Sequence, residues 1–88
     1  MTKEQNEKLL IQLQEIADAF YQNRLESGIA KLPNFVQELN TYLMQLPLEV
    51  QGTCLLLVKN VMEAMETKEY VLLADVLVFE LQPFIEDN

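Results

Sequence analysis

The side chains able to do chemistry are few in this sequence, and their spacing does not bring them together. The chain has no histidine, which removes the commonest general base and the commonest transition-metal ligand together. Its single cysteine, Cys54, falls on an apolar stripe. A nucleophilic cysteine needs a base or a positive field to form thiolate. The nearest cation in sequence, Lys59, is not aimed at Cys54 by helical geometry, so Cys54 is read as a small core residue. Glu63, Glu66 and Glu69 recur every third residue and could share a helix face, as could Glu15 and Asp18. Without imidazoles beside them, a di-iron type of carboxylate site lacks its usual partners. Both groups are read as solvated acidic surface. No glycine-rich phosphate loop is present. No catalytic residue, no metal ligand and no cofactor is expected, and the chain is read as not an enzyme.

Two comparisons test that reading. Small helical enzymes such as the chorismate mutases line a pocket with several cations to stabilise anionic transition states. Here Arg24 is the only arginine, accompanied by five scattered lysines. A short, acidic, four-helix chain with its one serine at a helix start is similar to acyl carrier proteins, which carry a prosthetic group in an Asp-Ser-Leu setting. The setting in this chain is Glu26-Ser27-Gly28-Ile29, early in the chain and with other neighbours. An acyl-carrier-like protein is therefore kept only as a remote alternative.

The elements that hold these residues follow from apolar periodicity. Thr2 and Gln5 have the spacing of a capping box. Leu9, Leu13, Ile16 and Phe20 then alternate steps of four and three, widened by Leu10, Ala17 and Leu25, which predicts an amphipathic helix over 3–26. Ser27-Gly28 is expected to interrupt it: Gly28 as a left-handed stop, Ser27 as a possible cap for the next helix. Ile29, Leu32, Val36, Leu39, Leu43 and Leu46 predict a second helix over 30–46, flanked by Phe35 and Tyr42, with Pro33 in its first turn. Pro47 fits the first position of a third helix. Its stripe is Cys54, Val58, Val61 and Met65, widened by Leu55, Leu57 and Met62, and Gly52 lies within it. Thr67 is placed as the cap of a fourth helix over 68–86. A strand over 70–81 is set aside because no second strand exists to pair with it. No internal repeat is visible.

The chain has 88 residues, which sets residues 1–88 as a single helical domain. Connections of two or three residues make consecutive helices antiparallel neighbours. The expected fold is all-α: an up-down antiparallel four-helix bundle, or two helical hairpins completed by dimerisation. Fourteen acidic side chains against six basic ones give a net charge of -8. Such a surface repels phosphate, so neither nucleic acid nor an anionic membrane is an expected partner. No signal peptide or span-length apolar run is seen, and a cytoplasmic location is expected.

The fourth helix is the anomaly. From Tyr70 to Leu81, ten of twelve residues are apolar, whereas a bundle helix needs about three positions in seven. Val71, Ala74, Val78, Leu81 and Ile85 make one stripe, and Tyr70, Leu73, Leu77 and Phe84 a second. Leu72, Val76 and Phe79 lie off both and are the candidate partner or dimer surface. Phe35 and Tyr42 on the second helix, with Met44, Met62 and Met65, add further apolar area. Another protein chain is the expected partner, either a second copy in a two-fold homodimer or a heterologous amphipathic helix.

The segment from Tyr70 to Glu86 resembles the closing segment of small, uncharacterised acidic helical proteins from motility gene neighbourhoods of Gram-positive bacteria. The shared elements are Leu73-Ala74-Asp75, Phe79-Glu80-Leu81, and Pro83 followed by the apolar pair Phe84-Ile85. The resemblance covers about a fifth of the chain and brings no catalytic residue with it. By size, charge and class it points toward the acidic helical chaperones of flagellar export, which shield an aggregation-prone partner helix. The expected function is thus a non-enzymatic protein–protein interaction module, chaperone-like or adaptor-like, that binds a partner helix through the fourth helix. A structural or regulatory homodimer is the alternative.

Overall fold

The computed structural model describes residues 3–88. Thr2, and with it the expected capping box, lies outside them. Among the described residues the chain is all-helical, with no strand. Helix α1 spans Lys3–Tyr21, α2 Leu25–Met44 and α3 Leu48–Glu66. The fourth helix, α4, covers residues 70–87 in three parts: α-helical Tyr70–Asp75, a π-helical turn Val76–Leu81, and α-helical Gln82–Asp87. The backbone stays right-handed at both junctions, with φ -61° and ψ -43° at Val76 and φ -58° and ψ -50° at Gln82.

The first break differs from the expected one. Gly28 is not a left-handed stop; it sits inside α2. The left-handed residue is Asn23, at φ 61°. Asn tolerates this conformation because its short side chain bonds locally. The Arg24 amide donates to the Ala19 carbonyl at 2.7 Å, and the Asn23 amide to the Phe20 carbonyl at 3.1 Å. This pair of bonds is a Schellman motif, which satisfies carbonyls that the helix end would otherwise leave open. α2 therefore starts five residues earlier than the periodicity suggests. Ser27 lies within its first turn rather than capping it, and Pro33 lies in its interior, with its ring exposed.

The third connection repeats the first. Lys68 is left-handed at φ 59°. The Glu69 amide donates to the Ala64 carbonyl at 3.0 Å, and the Lys68 amide to the Met65 carbonyl at 3.2 Å. Thr67 does not cap α4. It closes α3, and its hydroxyl donates back to the Glu63 carbonyl at 3.1 Å. Pro47 stands just before α3, with φ -57° and ψ 147°, so Leu48 is the first helical residue. Three residues reach about 10 Å at most, far less than the roughly 28 Å of a 19-residue helix. Each helix therefore starts within about 10 Å of the end of the one before it.

The π turn has two causes in the sequence. Pro83 has no amide hydrogen, and its ring clashes with the carbonyl four residues back. A wider turn immediately upstream relieves that conflict. Independently, Leu73, Leu77, Leu81 and Ile85 recur every fourth residue and are all fully buried. On a regular α-helix each such step drifts by about 40°, so three steps would rotate Ile85 about 120° away from Leu73. The π turn inserts the residue that returns Leu81 and Ile85 to the core. In α2 the buried residues Gly28, Leu32, Phe35, Leu39 and Tyr42 alternate four and three and need no such correction.

One continuous cluster of buried side chains draws on all four helices. α1 packs on α2 and α4, α2 on α3, and α3 on α4 and its π turn. Phe35 and Tyr42, expected on the flank of α2, are at the centre of this core, each with no exposed surface. The radius of gyration is 12.2 Å, which matches about 12 Å for a globular chain of this length. Polar contacts tie α1 to its neighbours. Lys8 pairs with Glu38 at 2.8 Å and Lys31 with Glu15 at 3.9 Å across α1–α2. The Tyr21 hydroxyl donates to Asp75 at 2.6 Å, and Gln14 to Gln82, across α1–α4. Phe20 stacks on Tyr70 with ring centres 5.2 Å apart, an arrangement worth about 0.5–1.5 kcal/mol beyond area burial.

Candidate functional site

The three residues singled out on α4 divide. Val76 is only 6 % exposed and belongs to the core of the single chain, three residues after the buried Leu73 and on the same helical face. Leu72 and Phe79 remain in solvent, at 48 % and 71 % exposure. Leu72 and Val76 lie on the rim and floor of a groove of about 280 Å³ between α3 and α4. From α3 the groove receives Asn60, Glu63, Ala64 and Thr67; from α4, Glu80, together with Glu69 at the turn. Ala64 is small and buried, so the floor on the α3 side is low. Leu56 is four residues before Asn60 and seven before Glu63, on the same helical row. It is 58 % exposed and extends the apolar strip along α3.

Glu63 and Glu69 thus face a shared groove, whereas Glu66 does not line it. Glu80 joins them from α4. Periodicity could have found the α3 side, since Asn60, Glu63, Ala64 and Thr67 repeat by three and four. On the α4 side Leu72, Val76 and Glu80 repeat by four. Among the described residues there is no group of three or more His, Cys, Asp or Glu side chains placed to hold a metal ion. No described helix is long and apolar enough to cross a membrane.

The remaining reactive groups are engaged in the fold. Cys54 is fully buried, and burial pushes its thiol up to about 11. It stays protonated at neutral pH, which suits a packing role rather than a nucleophile. Tyr42 is fully buried, and its hydroxyl has no hydrogen-bond partner. Burial first, and then the neighbouring Cys54, push it up to about 12. Tyr21 is also raised to about 12, mainly by its hydrogen bond to the Asp75 carboxylate. Asp75, the acidic member of Leu73-Ala74-Asp75, is thereby used to fasten α4 to α1. Glu38 is held below its ordinary value by the Lys8 ammonium, with a second hydrogen bond from Gln12. Arg24 is exposed in the first connection, and Glu15 is engaged by Lys31.

Comparison of the chain with protein-family models, with curated proteins and with solved structures gives no match.

Proposed function

We propose that this chain is a non-enzymatic protein–protein interaction module. On this reading it is a cytoplasmic up-down antiparallel four-helix bundle that receives a partner's helix along the seam of α3 and α4. The observation that carries the proposal is the pair Leu72 and Phe79. Both remain in solvent on α4, and Leu72 lines the groove between α3 and α4. Burying a Leu or Phe side chain contributes about 1.5–3 kcal/mol, so leaving two of them exposed forgoes a contribution that a docked helix would supply. The groove, about 280 Å³, suits one or two side chains of a helix lying across it. The resemblance of residues 70–86 to motility-neighbourhood proteins is compatible with a chaperone-like or adaptor-like role. A homodimer through the same face is the second reading, favoured by the same exposed residues.

Co-purification from the native host tests the proposal. Leu72→Glu and Phe79→Glu should each lose a partner that wild type retains, with helicity unchanged by circular dichroism. Sedimentation separates the two readings: a partner-binding chain runs near 10.2 kDa, a homodimer at twice that mass. If both variants keep every partner and the same mass as wild type, the face has no docking role.

A further inference from the structure

Resting on the reading that the α3–α4 groove docks a helix, we infer that its occupant is a basic amphipathic helix of another protein and not a second copy of this chain. The groove has an apolar floor and an acidic border. Ala64, Leu72 and Val76 give it apolar surface, and Glu63, Glu69 and Glu80 surround them. Among the described residues no lysine or arginine lines it. The Thr67 hydroxyl is turned back on the Glu63 and Ala64 carbonyls, which leaves Asn60 as the neutral polar side chain of the lining. Leu56 prolongs the apolar strip along α3.

A helix that fits this surface places a large apolar side chain over Leu72 and Val76, with others three or four residues away along the same row. Its flanking rows carry lysine or arginine, whose ammonium or guanidinium groups reach Glu63 and Glu69 on one side and Glu80 on the other. The long aliphatic stems of those residues also cover the apolar edges of the groove. A second copy meets the opposite situation. In a two-fold interface centred on the groove, the same patch meets itself, which sets the three carboxylates of one copy close to those of the other. Each copy also carries a net charge of -8. Like charges set against each other in an interface are unfavourable, whereas the same field attracts and orients a cationic helix.

Two synthetic helices test the inference. Both carry the same leucine ridge; one is flanked by lysines, the other by glutamines. Binding to the full-length chain is followed by fluorescence anisotropy at low salt and at high salt. The lysine peptide should bind about tenfold more tightly, as expected for three exposed ion pairs, and the advantage should fade as salt screens it. The triple variant Glu63→Gln, Glu69→Gln, Glu80→Gln should erase that advantage. A triple variant of equal net charge away from the groove, Glu7→Gln, Glu26→Gln, Glu49→Gln, should keep it. Equal loss in the two triple variants would show attraction to overall charge and overturn the inference. Equal affinity of the two peptides, abolished by Leu72→Glu, would also overturn it while leaving the docking reading intact. Binding of both peptides undisturbed by Leu72→Glu would sink the docking reading itself. A wild-type chain that sediments at twice 10.2 kDa and is split by Leu72→Glu would assign the groove to a second copy.

Discussion

The two helical hairpins of this chain share one connection and differ in how their helices close upon each other. In both, a Schellman turn ends the first helix, around Asn23 and Lys68, and the next helix starts two residues later. In the fourth position of the second helix the first hairpin has Gly28 and the second has Leu73. A Cβ built on Gly28 would lie 2.5 Å from the Phe20 ring, so the missing side chain is what lets Phe20 enter the α1–α2 seam. Leu73, at the corresponding position of α4, carries a full side chain and is fully buried. One seam is sealed by Phe20 and by the Lys8–Glu38 and Lys31–Glu15 pairs. The other opens into the groove beside Leu72.

The largest effect should come from truncating the closed seam. Phe20→Ala should cost about 3–5 kcal/mol, since its ring is 3 % exposed and stacked on Tyr70. Leu72→Ala on the open seam should cost less than about 1 kcal/mol. Chemical denaturation with parallel m-values checks both, and comparable losses would mean the α3–α4 seam is as tight as its counterpart.

The two glycines should respond with opposite signs. Gly28→Ala should destabilise by about 1–3 kcal/mol, because Phe20 is fixed by Tyr70 and cannot give way freely. Gly52, with nothing within 4 Å of an added Cβ, should gain about 0.5–1 kcal/mol on substitution by alanine. Thermal melts of the two variants should therefore move in opposite directions.

A smaller difference lies in the turns. Lys68→Gly should stabilise by about 0.5–1 kcal/mol, since a lysine at positive φ carries a steric cost that glycine lacks. Asn23→Gly should change stability much less, because asparagine already suits that conformation.

Raising the pH tests the core that both hairpins share. Cys54 is held at about 11 against an ordinary 9, and Tyr42 at about 12 against 10. Each binds its proton more tightly folded than unfolded. Their contribution is complete below the unfolded values, about 9 and 10, and is lost as pH climbs through the folded ones. Stability should therefore fall between about pH 9 and 12. Tyr42→Phe should flatten the Tyr42 part of that fall. At neutral pH it should be neutral or stabilising by up to about 1 kcal/mol, since the buried hydroxyl has no partner. A marked loss at neutral pH would show that the hydroxyl has a bonding partner.

Much of the fold was legible in the sequence because α1 and α3 keep regular spacings. Leu9, Leu13, Ile16 and Phe20 are buried as their pattern implies, and so are Cys54, Val58 and Val61. The turns were not legible, because short-range chemistry is ambiguous there. Ser27-Gly28 has the composition of a break, but the glycine serves packing against Phe20, while Asn23, an equally good left-handed residue, makes the turn. Thr67 has the type of an N-cap but bonds backward. Following Ile29 and Val36 placed the α2 stripe one residue too far round, which put Phe35 and Tyr42 at its edge. The groove was half legible. Leu72 and Phe79 were identified as surplus to the core, but Val76 was grouped with them although it stands three residues after Leu73 and is buried with it; the π turn itself was not foreseen. Leu73, Leu77, Leu81 and Ile85 at intervals of four, together with Pro83, are the signal that would have revealed it.

The difference between the two seams is tested most directly by one pair of variants of the full chain, compared in a single capture experiment. Leu72→Glu places a charge beside the open groove. Ile29→Glu places one on the α1–α2 half, at a residue of similar exposure, 41 % against 48 %. Both should fold, as judged by circular dichroism. The Lys-flanked helical peptide should be retained by immobilised Ile29→Glu as by wild type and released by Leu72→Glu. Release by Ile29→Glu with retention by Leu72→Glu would contradict the assignment of docking to the α3–α4 seam.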